Sequence, residues 1–417
     1  MPASLFVTSY YHALIVHLWI ADLTMICAIR ICELQTMNKN LLAVAMAVTF
    51  SSSTFAGGIL LHEVATFDSV SSAGVGNSSN RTDASAVITS PAGLTAIDDN
   101  SFSIGVQYLN AKTEHSGTGG FVDKSTTGES NAFIPSLAYA QRINDSWVIG
   151  ASLHGEGGLS MDYSGGLVGP NGGLPKTLSD EALNLQLAAG FQASDNLSLG
   201  GALIVQHLMT SFELGGDSRL DGDGSSTVAS FMLSAMYDVS DSTFLSANYK
   251  HKVKHNSGDI DVSFDGNQFT SIERNASWPA QLDFGLQHKI SDELTFKAMT
   301  GVEFWSQFDD AANNVYSLGT ALAYSQNDWT YQGGIRYDSK MYHTDKMTPA
   351  LPIGANWSLG LGAEKERSNG HRIGIAYQYR NMGTQDVTYT GPTDTISYFT
   401  GSVDTNRIHV LSISYAY

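Results

Sequence analysis

The feature that most constrains this chain is a pattern that repeats from Asn100 to the last residue. An alternating polar and apolar stretch of about 10–14 residues runs into a tight polar turn, and a second such stretch leaves it. Asx and Ser side chains suit hairpin tips because they bond the neighbouring backbone and tolerate unusual φ angles. Six such turns join twelve strands, and one further strand at each end makes fourteen. The turns are Asn144-Asp145-Ser146, Ser194-Asp195-Asn196, Ser240-Asp241-Ser242, Ser291-Asp292-Glu293, Asn327-Asp328 and Ser368-Asn369-Gly370.

The alternation places apolar side chains on one face of each stretch. In the last stretch one face carries His409, Leu411, Ile413, Tyr415 and Tyr417. Such strands are about twice as long as those of soluble sheets, their number is even, and short turns alternate with long loops. The loops are expected at about 113–131, 163–180, 211–226, 256–278, 341–355 and 385–405. The sequence therefore predicts an all-β fold, a 14-stranded antiparallel transmembrane β-barrel spanning residues 100–417.

Composition supports a barrel over a helical membrane protein. Only 15% of the residues are charged, whereas soluble domains carry about 25%. Mean hydropathy is nevertheless −0.08, and beyond residue 60 no apolar run reaches the roughly 18 residues of a spanning helix. The net charge of −18 argues against nucleic acid as a partner, because nothing here neutralises phosphate.

The N-terminal region carries a secretion signal. Met37 to Asn40 form a short basic region, Leu41 to Phe50 are apolar or small, and small residues precede Ala56. We expect a signal peptide over residues 37–56 with cleavage after Ala56, and residues 1–36 to be a mis-assigned upstream extension. The only cysteines, Cys27 and Cys32, precede the signal, which suits transit through an oxidising periplasm. These features predict a multi-pass protein of the bacterial outer membrane.

Residues 57–99 differ from the rest of the chain because they show no long alternation. Glycine and proline divide them into short pieces, among which apolar residues such as Leu60, Phe67 and Leu94 recur. A fourteen-stranded barrel is wide enough to leak unless it is filled. We therefore expect residues 57–99 to form a small plug inside the lumen; the alternative is a disordered periplasmic tail.

Several short motifs resemble one known family. Gly74-Val75-Gly76 followed by Ser90-Pro91-Ala92 is similar to the hatch of the FadL/TodX family of outer-membrane long-chain fatty acid and hydrocarbon transporters. Further similarities include Gly157-Gly158-Leu159, Pro279-Ala280 and Trp305 to Asp309, and together they cover residues 57–417. The resemblance implies hatch residues Gly74, Gly76, Ser90, Pro91 and Ala92. Ser90 stands where the family usually has Asn, and its hydroxyl is expected to bond the backbone ahead of Pro91.

The resemblance also implies a route for the ligand. Long-chain fatty acids or other hydrophobic molecules would enter through extracellular loops, pass by diffusion and leave sideways past the hatch. The lateral gate would lie in the third strand, where Gly155, Gly157 and Gly158 permit a bulge. The alternative for this glycine cluster is a small-residue contact between plug and wall.

A fatty acid carboxylate in a low-dielectric lumen needs a cation. The candidates on lumen-facing positions are Lys250, Lys297, Arg336 and Arg380; the alternative is that each pairs with an Asp or Glu. No cofactor and no metal site is expected.

Other classes of function remain as alternatives. Gly216 to Leu220 mimics a lipase-like block, but no strand-to-helix setting surrounds it, so neither an enzyme nor catalytic residues are expected. Asp217, Asp221 and Asp223 lack the terminal Glu of a calcium loop. An aromatic-hydrocarbon channel and a non-transporting structural or receptor barrel are the alternatives. The expected partners are the hydrophobic ligand, outer-membrane lipid and lipopolysaccharide, and, through the terminal Tyr417, the outer-membrane assembly machinery; the protein is expected to be a monomer.

Overall fold

The structure, a computed structural model, describes residues 62–119, 122–123, 126–163, 175–214, 220–256, 260–264, 266–272, 275–308, 312–342, 353–389 and 399–417. It is a closed barrel of 14 antiparallel strands, as the sequence predicts. The strands are β1 Asn100–Gly119, β2 Thr126–Arg142, β3 Trp147–Asp162, β4 Pro175–Ser194, β5 Leu197–Leu214, β6 Leu220–Ser240, β7 Thr243–Lys250, β8 Gln281–Lys289, β9 Leu294–Glu303, β10 Val315–Gln326, β11 Trp329–Asp338, β12 Asn356–Glu366, β13 Arg372–Asn381 and β14 Phe399–Ala416.

Each strand pairs with its neighbours in the sequence, and the first strand closes the barrel on the last. Ser103 of β1 faces Ala416 of β14, and the pairing continues to Thr118 and Thr400. The six polar turns lie where the sequence predicts them, at one end of the barrel, which we call the turn end. Closure leaves no sheet edge, which is what a membrane-spanning sheet requires because lipid offers no hydrogen-bond partners.

At the opposite, loop end the strands differ from expectation in length. β1 extends to Gly119 and β2 begins at Thr126, so most of the predicted 113–131 loop is strand. β7, in contrast, ends at Lys250. Within the region predicted as a 256–278 loop, Val253–Asn256 pairs with Asn275–Trp278, and a hairpin of Ile260–Phe264 and Asn267–Ile272 continues the sheet beside β6.

The alternation is visible in the exposure of side chains. Along β10 the residues Tyr316 and Leu318 point outward and are 62% and 63% exposed, whereas Ser317 and Ala321 face the lumen and are buried. Every second residue of the strand points outward, and the large apolar side chains at these positions form the band that contacts lipid. Among the described residues, no helix is long and apolar enough to cross a membrane.

The described part of the plug prediction, residues 62–99, is called here the N-terminal segment. It contains two short α-helices, α1 Phe67–Ser71 and α2 Ala86–Thr89, and two 3-10 helices, Val75–Ser79 and Pro91–Ala96. Thr66 caps α1 by accepting a hydrogen bond from the Ser69 amide. Most of the segment is buried, including Val70, Val75, Val87 and Leu94 at 0% exposure.

This burial arises from contacts with every strand of the barrel. On nine strands the contact is an inward glycine, where an added Cβ would lie within 3.0 Å of the N-terminal segment: Gly105, Gly150, Gly190, Gly200, Gly285, Gly319, Gly334, Gly360 and Gly374. On the other five strands a polar side chain bonds to the segment: Ser136, Ser234, Asn248, Lys297 and Ser414. We call these fourteen wall positions the seat.

Candidate functional site

The third strand contains a bulge at the predicted glycine cluster. Up to His154 the buried, lumen-facing positions of β3 are even-numbered, whereas beyond the cluster Met161 and Tyr163 are buried. Between Gly155 and Gly158 the pairing with β4 shifts by one residue. Gly157 has a φ of 66°, a conformation that side chains with a Cβ rarely adopt. β3 therefore carries one extra residue at this point.

On its other side the same strand loses its ladder pairing with β2. The two strands pair from Arg142 with Val148 up to Ser136 with His154, and once more at Glu129 with Asp162. Between these pairs, residues 130–135 and 155–161 have no ladder partner across the β2–β3 boundary. We call this interruption the β2–β3 gap; Gly155, Gly157 and Gly158 all lie in it. On both strands the gap is closer to the loop end than the seat positions Ser136 and Gly150.

The bulge residue Glu156 turns into the lumen. Its carboxylate forms an ion pair with Lys250 at the end of β7 and accepts hydrogen bonds from Asn184 of β4 and Gln206 of β5. Gln206 also donates to Asn184 at 3.0 Å. Glu156 is thus joined to three strands on one side of the barrel.

A polar cavity lies between the N-terminal segment and the wall. It encloses about 770 Å³ of empty space, part of it open to solvent, and reaches Gly155 and Glu156 at the β2–β3 gap. The charged or titratable side chains around it include Lys250, Asp283 and Arg336, with His62 from the N-terminal segment. Burial and the nearby Arg336 hold the pKa of His62 well below its usual value. The neutral ring lies 3.4 Å from the Glu303 carboxylate.

All four cations predicted from the sequence are buried to some degree, and each has a carboxylate partner. Lys250 pairs with Glu156 and Lys297 with Asp68. Arg336 lies 2.8 Å from Asp338, and Arg380 lies 2.8 Å from Glu63.

These pairs divide into two groups by position. Lys297 and Arg380 bind acidic residues of the N-terminal segment and so join it to the wall, whereas Lys250 and Arg336 line the polar cavity. Asp68 shows the strength of one such contact. Burial raises its pKa, but attraction to Lys297 and the hydrogen bonds from Lys297 and Gln332, with a contribution from Arg372, together outweigh burial, so the net pKa is lowered.

The residues predicted for the hatch lie in the N-terminal segment, against the wall. Gly74 has a φ of 80°, and a Cβ at Gly76 would overlap the Asp68 carboxylate. Pro91 begins a 3-10 helix, and the Ala92 amide donates to the Ser234 hydroxyl at 2.6 Å.

The prediction for Ser90 needs correction. Its hydroxyl was expected to bond the backbone ahead of Pro91, but it donates to the Asn248 side chain of β7 at 2.7 Å. Asn248 in turn donates to the Ser78 carbonyl at 2.8 Å. The Asn248 side chain of the wall therefore joins Ser78 and Ser90, which lie in different parts of the N-terminal segment.

Towards the loop end the lumen is filled by an apolar cluster. It is built from strand ends and from the connections between strands: Met161, Tyr163, Ala182, Leu208, Val253, Ala276, Trp278, Trp305, Ala312, Val315, Met341, Tyr342, Val387 and Val403. Burial raises the pKa of Tyr163 above its usual value. The Val253–Asn256 strand reaches this cluster, and His255 contacts Trp278 edge-on at 5.5 Å. His255 Nε2 lies 3.0 Å from Gln206 Oε1. Because Gln206 also donates to Glu156, these two residues link the Glu156 contacts to the edge of the apolar cluster.

The two rival motifs lie partly outside the described residues. Of Gly216 to Leu220 only Leu220 lies within the described residues, and Asp221 and Asp223 pair along β6 with the neighbouring strands. Among the residues that the structure describes, no group of three or more His, Cys, Asp or Glu side chains could hold a metal ion.

Two features of the site went unpredicted. The nine seat glycines carry a partial signal: eight of them face at least one Gly, Ala or Ser on a paired strand, whereas Gly319 faces Met299 and Arg336. Glu156 carries none, because only the fold brings Asn184, Gln206 and Lys250 to it.

Comparison with known proteins agrees with this architecture. The family model for outer membrane protein transport proteins (OMPP1/FadL/TodX) matches residues 47–417. A long-chain fatty acid transport protein of Escherichia coli O6:H1 is 21% identical over 85% of this chain and 92% of its own length. A Pseudomonas aeruginosa FadL homologue superposes with a TM-score of 0.78 at 18% identity, covering 86% of this chain and 99% of that one. The Pseudomonas putida toluene transporter TodX gives a TM-score of 0.59 at 16% identity, with 86% and 99% covered.

The family match spans most of the chain, and its members are transport channels and not enzymes. The barrel, the filled lumen and the interrupted wall fit that role. The chain belongs to the OMPP1/FadL/TodX family and is an outer-membrane transporter of hydrophobic molecules.

Proposed function

We propose that this protein carries long-chain fatty acids across the outer membrane by diffusion and releases them sideways into the bilayer. The observation that carries the proposal is the β2–β3 gap, which interrupts the wall on the loop-end side of the seat. A molecule leaving there does not need to pass the N-terminal segment. The three glycines Gly155, Gly157 and Gly158 act as the lateral gate in this proposal.

The N-terminal segment acts as the hatch. It bonds or packs against all fourteen strands, so the axial route towards the turn end is filled. In this proposal the hatch spans residues 57–99, the barrel spans residues 100–417, and the turn end faces the periplasm. Ligand enters from the opposite end, where the apolar cluster offers buried aromatic and aliphatic side chains.

The charged lining of the polar cavity favours an acid over a pure hydrocarbon. A ligand carboxylate that reaches Lys250 or Arg336 meets a cation that can donate a charge-assisted hydrogen bond to it beside the partner carboxylate already bound there. A hydrocarbon gains nothing from these groups. An aromatic hydrocarbon is the second candidate, because the apolar cluster holds Trp278 and Trp305 and the fold resembles that of a toluene transporter.

The remaining partners follow from the barrel surface. The outward band contacts outer-membrane lipid and lipopolysaccharide, and the protein acts as a monomer. Tyr417 stacks on Phe102 at 5.7 Å and remains 41% exposed, so its ring is accessible to the assembly machinery proposed to read it. Cleavage after Ala56 stays a prediction that the mass of the mature chain checks directly.

Uptake into liposomes tests the proposed substrate. Vesicles containing the protein receive labelled oleate or labelled toluene, and protein-free vesicles provide the background. We expect oleate to enter faster than background and faster relative to background than toluene. The reverse preference would assign the protein to hydrocarbon uptake, and background rates for both probes would contradict transport of either class.

A further inference from the structure

The extra residue in β3 does not by itself explain the β2–β3 gap. β4 also faces that residue, and there the pairing shifts by one and resumes at Gly158 with Glu181. Facing β2, the same irregularity leaves residues 130–135 and 155–161 without partners. A bulge ordinarily disrupts a ladder only locally. Something other than chain length therefore interrupts the β2–β3 ladder.

The side chain of Glu156 supplies a directional force. Among the described residues, the hydrogen bonds and the ion pair of its carboxylate all reach strands on the β4 side of β3: Asn184 on β4, Gln206 on β5 and Lys250 on β7. Gly155 and Gly157 on either side of it leave the backbone free to bend, and the φ of 66° at Gly157 makes use of that freedom. These three partners face the lumen, so the contacts hold the Glu156 side chain on the lumen side of β3 and not towards β2.

Burial makes these contacts strong. The side chains of Glu156 and Lys250 are only 12% and 15% exposed. An ion pair that is shielded from solvent is weakly screened, and removing one partner leaves the other as an uncompensated charge.

We propose that Glu156 is a positioning residue whose ion pair with Lys250 holds the β2–β3 gap open. Without the pair, residues 155–161 relax towards β2 and form ladder hydrogen bonds with residues 130–135. This inference rests on the proposed function only for its consequence, which is that a closed ladder slows the lateral release of ligand. The effect on the backbone is independent of what the protein transports.

Amide hydrogen exchange of the protein in lipid nanodiscs tests the positioning role. In Glu156→Ala and in Lys250→Met we expect exchange within residues 130–135 to slow by about tenfold, the factor that corresponds to roughly 1.4 kcal/mol. Glu114→Ala is the matched control, because Glu114 pairs with Lys112 of its own strand and accepts a hydrogen bond from Thr405 of β14, and neither residue belongs to β2 or β3. Its exchange pattern in the gap should equal that of the unaltered protein.

The charge-swapped double variant Glu156→Lys with Lys250→Glu separates positioning from general stability. The swap restores the ion pair, and Asn184 and Gln206 can present their carbonyl oxygens to a lysine because amides both donate and accept. We expect exchange in residues 130–135 to return to the original rate. Unchanged or faster exchange in the single variants, or a swap that behaves like them, would overturn the proposal.

Oleate uptake by the same variants links the gap to transport. We expect slower uptake in both single variants and recovery in the swap. If exchange changes as expected while the unaltered protein carries no probe, the proposed function fails and the positioning role stands. If the unaltered protein transports and exchange does not change, the positioning role alone fails.

Discussion

The seat and the β2–β3 gap are two regions of one wall that meet the lumen in opposite ways. At twelve of the fourteen seat positions the wall presents glycine or serine, and the N-terminal segment approaches so closely that a Cβ at Gly200 would overlap the Ala92 amide. At the gap the wall loses its ladder, and the charged side chain of Glu156 points into a cavity. The seat closes the lumen through close backbone contact with the N-terminal segment. The β2–β3 gap interrupts the wall because ladder pairing is lost there.

The difference teaches where an interrupted sheet is tolerated in a membrane. Unpaired amides and carbonyls facing hydrocarbon cost several kcal/mol each. The gap borders the polar cavity at Gly155 and Glu156, so its backbone can be hydrated from the lumen. At Gly200, in contrast, the ladders with both neighbouring strands are continuous.

The largest effect is expected from breaking the seat, and β5 offers a matched pair. Gly200 faces the N-terminal segment, while at Gly201 an added Cβ meets only Leu233 and Met232 atoms at 3.7 Å. Gly200→Val should destabilise the protein by about 3 kcal/mol, because the backbone of the segment must move. Gly201→Val should cost much less. Both effects are measured by heating samples to increasing temperatures before gel electrophoresis and recording the temperature at which the folded band disappears. Equal shifts in the two variants would contradict the seat.

A smaller effect is expected from repairing the gap. Deletion of Gly157 removes the one residue by which β3 exceeds both β2 and β4, so both ladders can run without a shift. We expect oleate uptake to fall about tenfold, the equivalent of roughly 1.4 kcal/mol, with the barrel still folded. Insertion of one glycine after Gly158 is the control for chain length in this strand. Full uptake by the deletion variant would show that the bulge is unnecessary.

The wall was more predictable from sequence than its contents. Alternation with period two and the six Asx/Ser turns specify each hairpin locally, which is why the number of strands and the turns are confirmed. The loop ends were less predictable. Beyond residue 113 the stretch to Gly119 is polar on both faces, and pairing with β14 extends the strand there without an apolar signal.

The site divides in the same way. The bulge near Gly155 could be predicted from the sequence because a cluster of glycines permits unusual backbone conformations locally, whatever the rest of the fold. The partners of Lys250, Lys297, Arg336 and Arg380 are distant in sequence or belong to the N-terminal segment, apart from Asp338, so charge alone could not reveal the pairing. The backbone role expected for Ser90 was wrong for the same reason, since Asn248 is 158 residues away.

The smallest effect is expected at the boundary between the gap and the apolar cluster. Burial, with a further contribution from His207, lowers the pKa of His255 to about 4 from 6.5. Once the Val253–Asn256 strand opens, the ring takes up a proton below pH 6.5, so closure weakens as the pH falls from 6.5 to 4. We expect exchange of amides 253–256, corrected for intrinsic rates, to be about fivefold faster at pH 5 than at pH 7. His255→Gln should lose this dependence, and its persistence in the variant would assign it to another group.

The central claim is that ligand leaves through the β2–β3 gap, and a disulfide across the gap tests it most directly. A Cβ at Gly155 lies 3.9 Å from the Ile134 Cβ, within the range of about 3.5–4.5 Å that a disulfide spans. The chain beyond Cys32 contains no cysteine that could compete. The variant with Ile134→Cys and Gly155→Cys should take up oleate slowly when oxidised and regain its rate on reduction. In each single variant, the rate of oleate uptake should be the same after oxidation and after reduction. Undiminished uptake through the oxidised, cross-linked barrel would contradict lateral release.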